Sequence, residues 1–247
     1  MSTALVPLKY QPRSAQACRV HTVTDRFSLA NTYIINDGEL VIVDPASPQQ
    51  VQALISYVRY FLQRDEADIG LIVLTHFHSD QVAGAFALQE RTGARIAASD
   101  VARSEPGPHR SFLRQALVVG TKRAVRRIIP ASFQQLELFP RQYVALCARI
   151  DYWLLDDDGL PGHPYWKVLA TPGHTPESLC LYNALSGELL CGETLTTAQR
   201  SAAQAHPMRD PHALQLALAR LRRLPVRFLF PGHGRPLLAA SALAHLL

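Results

Sequence analysis

The sequence predicts an α/β fold, on two observations. Short runs of apolar, β-type residues alternate with helix-compatible stretches through both halves of the chain, the pattern produced when helices cover sheets. Four of the apolar runs end in histidine or carboxylate residues, spread between positions 76 and 233. Side chains of that kind act together only if they meet in space, which favours one domain over two small ones in a chain of 247 residues.

Taken in order, residues 48–64 read as a surface helix. Leu71-Ile72-Val73-Leu74 then forms an apolar run with no polar interruption, as suits a strand buried on both faces. It empties into Thr75-His76-Phe77-His78-Ser79-Asp80-Gln81. Past the strand end the chain can turn, so that His76, His78 and Asp80 converge instead of alternating. Neutral imidazole suits zinc, iron and similar metals, and a carboxylate adds charge and can hold a second ion. Helix-compatible residues at 82–90 put these side chains in the turn at a helix N-terminus. His-x-His pairs arise by chance, so this run alone is only half of a metal site.

Three later segments share the design. Val168-Leu169-Ala170 leads into Thr171-Pro172-Gly173-His174, and Leu189-Leu190-Cys191-Gly192 leads into Glu193. Phe228-Leu229-Phe230 leads into Pro231-Gly232-His233-Gly234. Each is a strand that stops and exposes one ligand-type side chain, and four of them make independent coincidence a poor explanation. Residues 212–223 read as a basic amphipathic helix and 237–247 as a short C-terminal one.

The order and context of these segments resemble the metallo-β-lactamase superfamily of metallohydrolases, which includes glyoxalase II and lactonase-like enzymes. The usual pattern there is His-x-His-x-Asp-His, a Gly-His-Thr histidine, a Gly-Asp-Thr aspartate bridging two metals, and a Gly-His-Gly histidine. Asn31-Thr32-Tyr33-Ile34-Ile35 and Leu40-Val41-Ile42-Val43-Asp44-Pro45 are similar to the family's N-terminal hairpin and Asp-containing turn. The resemblance implies an αββα four-layer sandwich, with two mixed sheets face to face, helices outside and the metals at one sheet edge. Residues 1–247 would form this single domain, with a helical cap inserted at approximately 103–150.

Two positions depart from the family pattern. Gln81 stands where the last histidine of the first motif is usual, and Glu193 stands where the bridging aspartate is usual. Carried over residue by residue, the resemblance assigns His76, His78 and His174 to a first metal, with Glu193 reaching it. Asp80, His233 and Glu193 would hold a second, with Gln81 offering a neutral amide oxygen. That oxygen is a harder, weaker zinc ligand than imidazole, so the second site is expected to bind less tightly or to select another metal. The implied cofactor is one or two zinc ions, with iron or manganese as alternatives. Asp80 is the expected catalytic group, orienting the attacking water or moving its proton.

Composition bounds the rest. A hydrophobic content of 48% and a charged content of 18% fit an ordinary globular protein. No segment approaches the ~18 consecutive apolar residues of a membrane span. The first twenty positions lack a basic start followed by an apolar stretch, which favours the cytoplasm. Cys18, Cys147, Cys180 and Cys191 show no Cys-x-x-Cys spacing and read as reduced structural thiols. The net charge of +5 is concentrated in Arg103, Arg110, Arg114, Lys122, Arg123, Arg126 and Arg127. A solvated helix face is the ordinary meaning of such a run, and an anion-attracting rim is the sharper one. Nucleic acid is a poor partner, because aromatic residues are not interleaved as stacking platforms.

The long interval between His78 and His174 carries candidate helices at 111–129 and 133–150 and the acidic turn Asp156-Asp157-Asp158-Gly159. In related enzymes such an insertion caps the active site, and Phe112, Leu117, Phe133 and Tyr143 are among the residues that would line an apolar pocket beneath it. The chain stops soon after His233, so the helical domain that completes glyoxalase II enzymes is not expected. The leading expectation is a metal-dependent hydrolase of a small-molecule ester, thioester or lactone, compatible with a homodimer. The alternatives are a mononuclear iron oxygenase resembling persulfide dioxygenases and a non-catalytic member that keeps the pocket.

Overall fold

The structure is a computed structural model that describes residues 20–26, 28–104, 146–197, 204–205 and 209–237, without the side chains of Ser79, Asp80, Ser104, Gln204 and Ala205. Its first sheet has six strands in spatial order β1 (Val20–Thr24), β2 (Asn31–Asn36), β3 (Leu40–Val43), β4 (Ile69–Leu74), β5 (Arg95–Ser99) and β6 (Tyr152–Leu154). The hairpin pairings of β1 to β3 are antiparallel, and those from β3 to β6 are parallel. The second sheet uses β7 (Gly159–Leu160), β8 (His163–Ala170), β9 (Leu179–Asn183), β10 (Glu188–Gly192) and β13 (Phe228–Pro231), in the order β13-β10-β9-β8-β7. A short ladder joins β11 (Leu195–Thr196) to β12 (Gln204–Ala205).

Side chains on a strand alternate between faces, and here both faces are apolar. Tyr33, Ile35, Val41, Val43, Leu71 and Val73 meet Trp166, Val168, Leu181, Leu190 and Phe230 between the sheets. The intervening Ile34, Ile42, Ile72 and Leu74 pack outward under α1 (Val51–Ser56) and α2 (Ser79–Thr92). On the second sheet Leu169, Cys180, Leu189, Cys191 and Leu229 pack outward under Leu214, Leu218 and Leu221 of α4 (Pro211–Leu221). Three apolar layers therefore separate four structural ones, which makes this an αββα sandwich. Each fully buried Val, Leu or Ile adds about 1.5–3 kcal/mol.

Helix ends follow local chemistry. α2 presents Val82, Ala85 and Leu88 to the sheet and stops at Gly93, whose φ of 73° is left-handed. α4 starts at Asp210, whose carboxylate accepts the backbone N–H of His212 at 3.0 Å and of Ala213 at 2.9 Å. The helix expected at 48–64 runs without a break from Pro48 to Phe61: a tight turn at Pro48–Gln50 leads directly into α1, and the helix then widens over Tyr57–Phe61. Leu62 N–H donates to the Tyr57 carbonyl at 3.1 Å, five residues back. The short helix α3 (Val101–Ser104) follows β5.

At the end of the sandwich where β2 stops and β8 begins, Asp37 bridges the sheets. Its carboxylate accepts Trp166 Nε1–H at 2.9 Å and meets His163 Nδ1 at 2.5 Å. The other end carries the candidate site. Most of the expected cap, with the pocket residues Phe112, Leu117, Phe133 and Tyr143, lies outside the described residues, as do Cys18 and the helix expected at 237–247. Among the described residues no helix is long and apolar enough to cross a membrane.

Candidate metal centre

The four predicted strand ends meet at one edge. β4 delivers His76 and His78, and α2 begins at Ser79, earlier than the 82–90 pattern indicated, so Asp80 and Gln81 lie on its first turn. β8 delivers His174, β10 ends at Gly192 just before Glu193, and β13 ends at Pro231 just before His233. Donor atoms of His76, His78, His174 and Glu193 lie within 4.8 Å of one another, and all four residues are buried.

Glu193 is the centre of this group. Its Oε1 lies 3.2 Å from His76 Nε2, 3.1 Å from His78 Nδ1 and 3.4 Å from His233 Nε2. Its Oε2 lies 3.3 Å from His174 Nε2, and His76 Nε2 and His78 Nδ1 are 3.0 Å apart. A tetrahedral metal with ligands at about 2.0–2.2 Å spaces its donors roughly 3.3–3.6 Å apart. The donor set therefore fits a metal in chemistry and nearly in spacing. His233 adjoins the cluster through Glu193 and is the more exposed histidine, with 17% of its side-chain surface accessible.

Charge in the cluster is shared. Burial would lower the His76 pKa, but the hydrogen bond and charge of Glu193, with Asp44 and Glu177 nearby, raise it to about 9. Burial would raise Glu193, yet hydrogen bonds from His233, His76 and His78 hold its carboxyl well below the usual carboxylate range.

Behind the histidines, the chain orients them. Thr75 donates its backbone N–H to Asp44 Oδ1 at 2.8 Å and its hydroxyl to Asp44 Oδ2 at 2.6 Å. With its proton committed there, Thr75 Oγ1 accepts from His76 Nδ1 at 2.9 Å, which leaves Nε2 as the ring nitrogen facing the cluster. Burial raises the Asp44 pKa, against the lowering influence of His76 and Thr75. Asn31, at the start of β2, secures the His233 turn by donating Nδ2–H to the carbonyls of Pro231 at 2.9 Å and Gly234 at 2.8 Å. Thr171 and Thr194 hydroxyls, 2.9 Å apart, tie the His174 loop to the Glu193 loop.

Gln81 is 2% exposed, and its Oε1 is buried without a hydrogen-bond partner among the described residues. The backbone of Asp80 is on the first turn of α2, and its side chain lies outside the described atoms. Cys180 and Cys191 are buried free thiols, and burial raises the pKa of both. Sequence reasoning did not single out Thr75 or Glu177. Their only local signals are an acceptor beside the first histidine and an acid three residues beyond His174.

The family model of the metallo-β-lactamase superfamily matches residues 25–233. The chain belongs to that superfamily. Among relatives of this superfamily member, the probable metallo-hydrolase YqjP of Bacillus subtilis (strain 168) is 26% identical over 230 residues, covering 85% of this chain and 69% of that one. A hydroxyacylglutathione hydrolase of Thermosynechococcus vestitus is 28% identical over 181 residues, 72% of this chain. This chain spans 52% of that hydrolase, about half its length. Among solved structures, the BLEG-1 B3 metallo-β-lactamase superposes with a TM-score of 0.62 at 20% identity, covering 92% of this chain and 97% of that one. TTHA1623 in a di-iron-bound form gives a TM-score of 0.59 at 21% identity, covering 91% and 97% respectively. These superpositions carry the metallo-β-lactamase fold, and the sequence relatives mark a metallo-hydrolase family.

Proposed function

We propose that this protein is a metal-dependent hydrolase of a small-molecule ester, thioester or lactone. The observation that carries this reading is the convergence of His76, His78, His174 and Glu193, all buried and with donor atoms within 4.8 Å of one another. The hydroxyacylglutathione hydrolase relative supports the acyl-transfer class of substrate. His76, His78, His174 and Glu193 would hold the first metal, and Asp80, Gln81, His233 and Glu193 a weaker second one. When bound, the metal supplies an acidified water as nucleophile and an electrophile for the substrate carbonyl.

The chain's own residues do the rest. Glu193 supplies the negative charge that offsets a divalent cation among neutral imidazoles. Thr75 and Asp44 hold His76 in the tautomer that presents Nε2. Asp80 is the proposed group for orienting the attacking water and taking its proton. Gln81 brings an amide oxygen where imidazole is usual, which weakens the second site for zinc and suits harder metals. Zinc is the first choice of metal, and the di-iron-bound structural relative supports iron as the alternative.

Metal analysis of protein purified without added metal, with a panel of thioesters and lactones, tests the reading. A dinuclear content with acyl turnover supports it. A second reading, a mononuclear iron oxygenase, is favoured by the tight four-donor cluster found among the described residues and predicts one iron with oxygen uptake. Absence of both metal and turnover would point to a non-catalytic binding protein.

Two further results are expected. Gln81→His and Glu193→Asp raise second-metal occupancy, and unchanged occupancy in both would show that these positions are not ligands. Thr75→Val keeps shape but leaves Asp44 and His76 without their shared hydroxyl. It should weaken metal binding by about 10–100-fold, as loss of a ligand's orienting partner does, measured by competition with a chelator.

A further inference from the structure

Glu177 is a buried acid, 7% exposed, on the turn between His174 and β9. That turn is rigidly closed. Thr175 and Ser178 hydroxyls are 2.7 Å apart, Thr175 N–H donates to Ser178 Oγ at 3.1 Å, and Thr171 N–H donates to the Ser178 carbonyl at 2.8 Å. Leu179 N–H donates to the Thr75 carbonyl at 2.9 Å, which fastens the same segment to the end of β4. From this base the Glu177 carboxylate crosses to the first motif, where Oε1 accepts the Phe77 backbone N–H at 3.3 Å. Phe77 is the residue between His76 and His78.

Among the described residues Glu177 has a single backbone donor as its hydrogen-bond partner. Its charge, with those of Glu193 and Asp44, bears on His76.

We propose that Glu177 is a positioning residue of the metal centre. It clasps the backbone between His76 and His78, fixing the approach of the two rings, and adds its negative charge to those of Glu193 and Asp44 that bear on His76. One segment, residues 171–179, thus supplies both the ligand His174 and the brace for the other two histidines. The assignment rests on the metal-centre reading above.

The test uses zinc affinity, read by competition with a chromophoric chelator, and the ligand-field spectrum of the cobalt-substituted protein. Glu177→Ala is expected to weaken zinc binding about tenfold or more and to shift the cobalt bands. Glu177→Gln retains an acceptor for Phe77, so it should restore the parent cobalt spectrum while binding zinc more weakly than the parent. A Glu177→Ala protein with parent zinc affinity and parent cobalt bands overturns the proposal. If the alanine protein does not fold, Glu177→Gln and Glu177→Asp decide, and parent affinity in both overturns it. Failure of the parent itself to bind either metal would instead sink the metal-centre reading.

Discussion

Replacing Glu193 with alanine is expected to remove metal binding and hydrolytic turnover together. The carboxylate lies within 3.4 Å of ring nitrogens from His76, His78, His174 and His233, so it joins its own strand end to the other three. Without it the four-donor group loses its carboxylate, and a divalent cation there would face three imidazoles. Removing one partner of a buried charge pair costs about 3–5 kcal/mol. Loss of a proposed ligand should exceed the roughly 10–100-fold cost of losing a ligand's supporting partner. Metal content after dialysis and turnover on the best ester or thioester provide the two readings. Glu193→Gln separates shape from charge, because it keeps an oxygen in place and should still lose metal. Parent-like metal content in both variants would show that the carboxylate is not a ligand.

Gly192→Ala is the second large effect, and it reaches the site through the backbone. Gly192 has φ of +48°, and a Cβ there would stand 2.3 Å from Thr75 Oγ1 and 2.9 Å from Thr75 Cβ. Thr75 has little room to yield, since its hydroxyl and N–H are bonded to Asp44 and its carbonyl to Leu179. Left-handed strain and overpacking together should destabilise the protein by roughly 2–4 kcal/mol. The urea midpoint of the metal-free protein measures this. A displaced Thr75 also releases His76, so metal affinity should fall with stability. An unchanged midpoint would show that the contact relaxes freely.

Strand ends proved the most legible part of the molecule. Unbroken apolar runs such as Leu71–Leu74 identify strands buried on both faces, and the change to Pro, Gly and His marks where each strand stops. Helix α4 was readable from its amphipathic pattern, and its observed start at Pro211 differs by one residue from the pattern's edge. The start of α2 was less readable, because Ser79, Asp80 and Gln81 are poor markers of helix interior, and His78 acts as the capping position. The segment at 48–64 reads as one helix, and it is helical without a break from Pro48 to Phe61, although it widens over Tyr57–Phe61 in a way no residue pattern announces. Its apolar positions Val51, Leu54, Ile55 and Val58 are nevertheless buried as one face, and that face is what the periodicity reported.

By itself, the sequence determined the α/β class and the candidate ligands His76, His78, His174, Glu193 and His233, because strand termination and ligand chemistry are local properties. It also marked Gln81 and Glu193 as the departures from the family pattern. Only the tertiary structure decided that Glu193 sits among the four histidines, that Thr75 donates its hydroxyl hydrogen bond to Asp44 and so orients the His76 ring, and that Glu177 reaches Phe77. Those relations join residues separated by up to 117 positions, as between His76 and Glu193. They arise from parallel crossovers and the facing of two sheets, which bring distant strand ends together without leaving a local pattern in the chain.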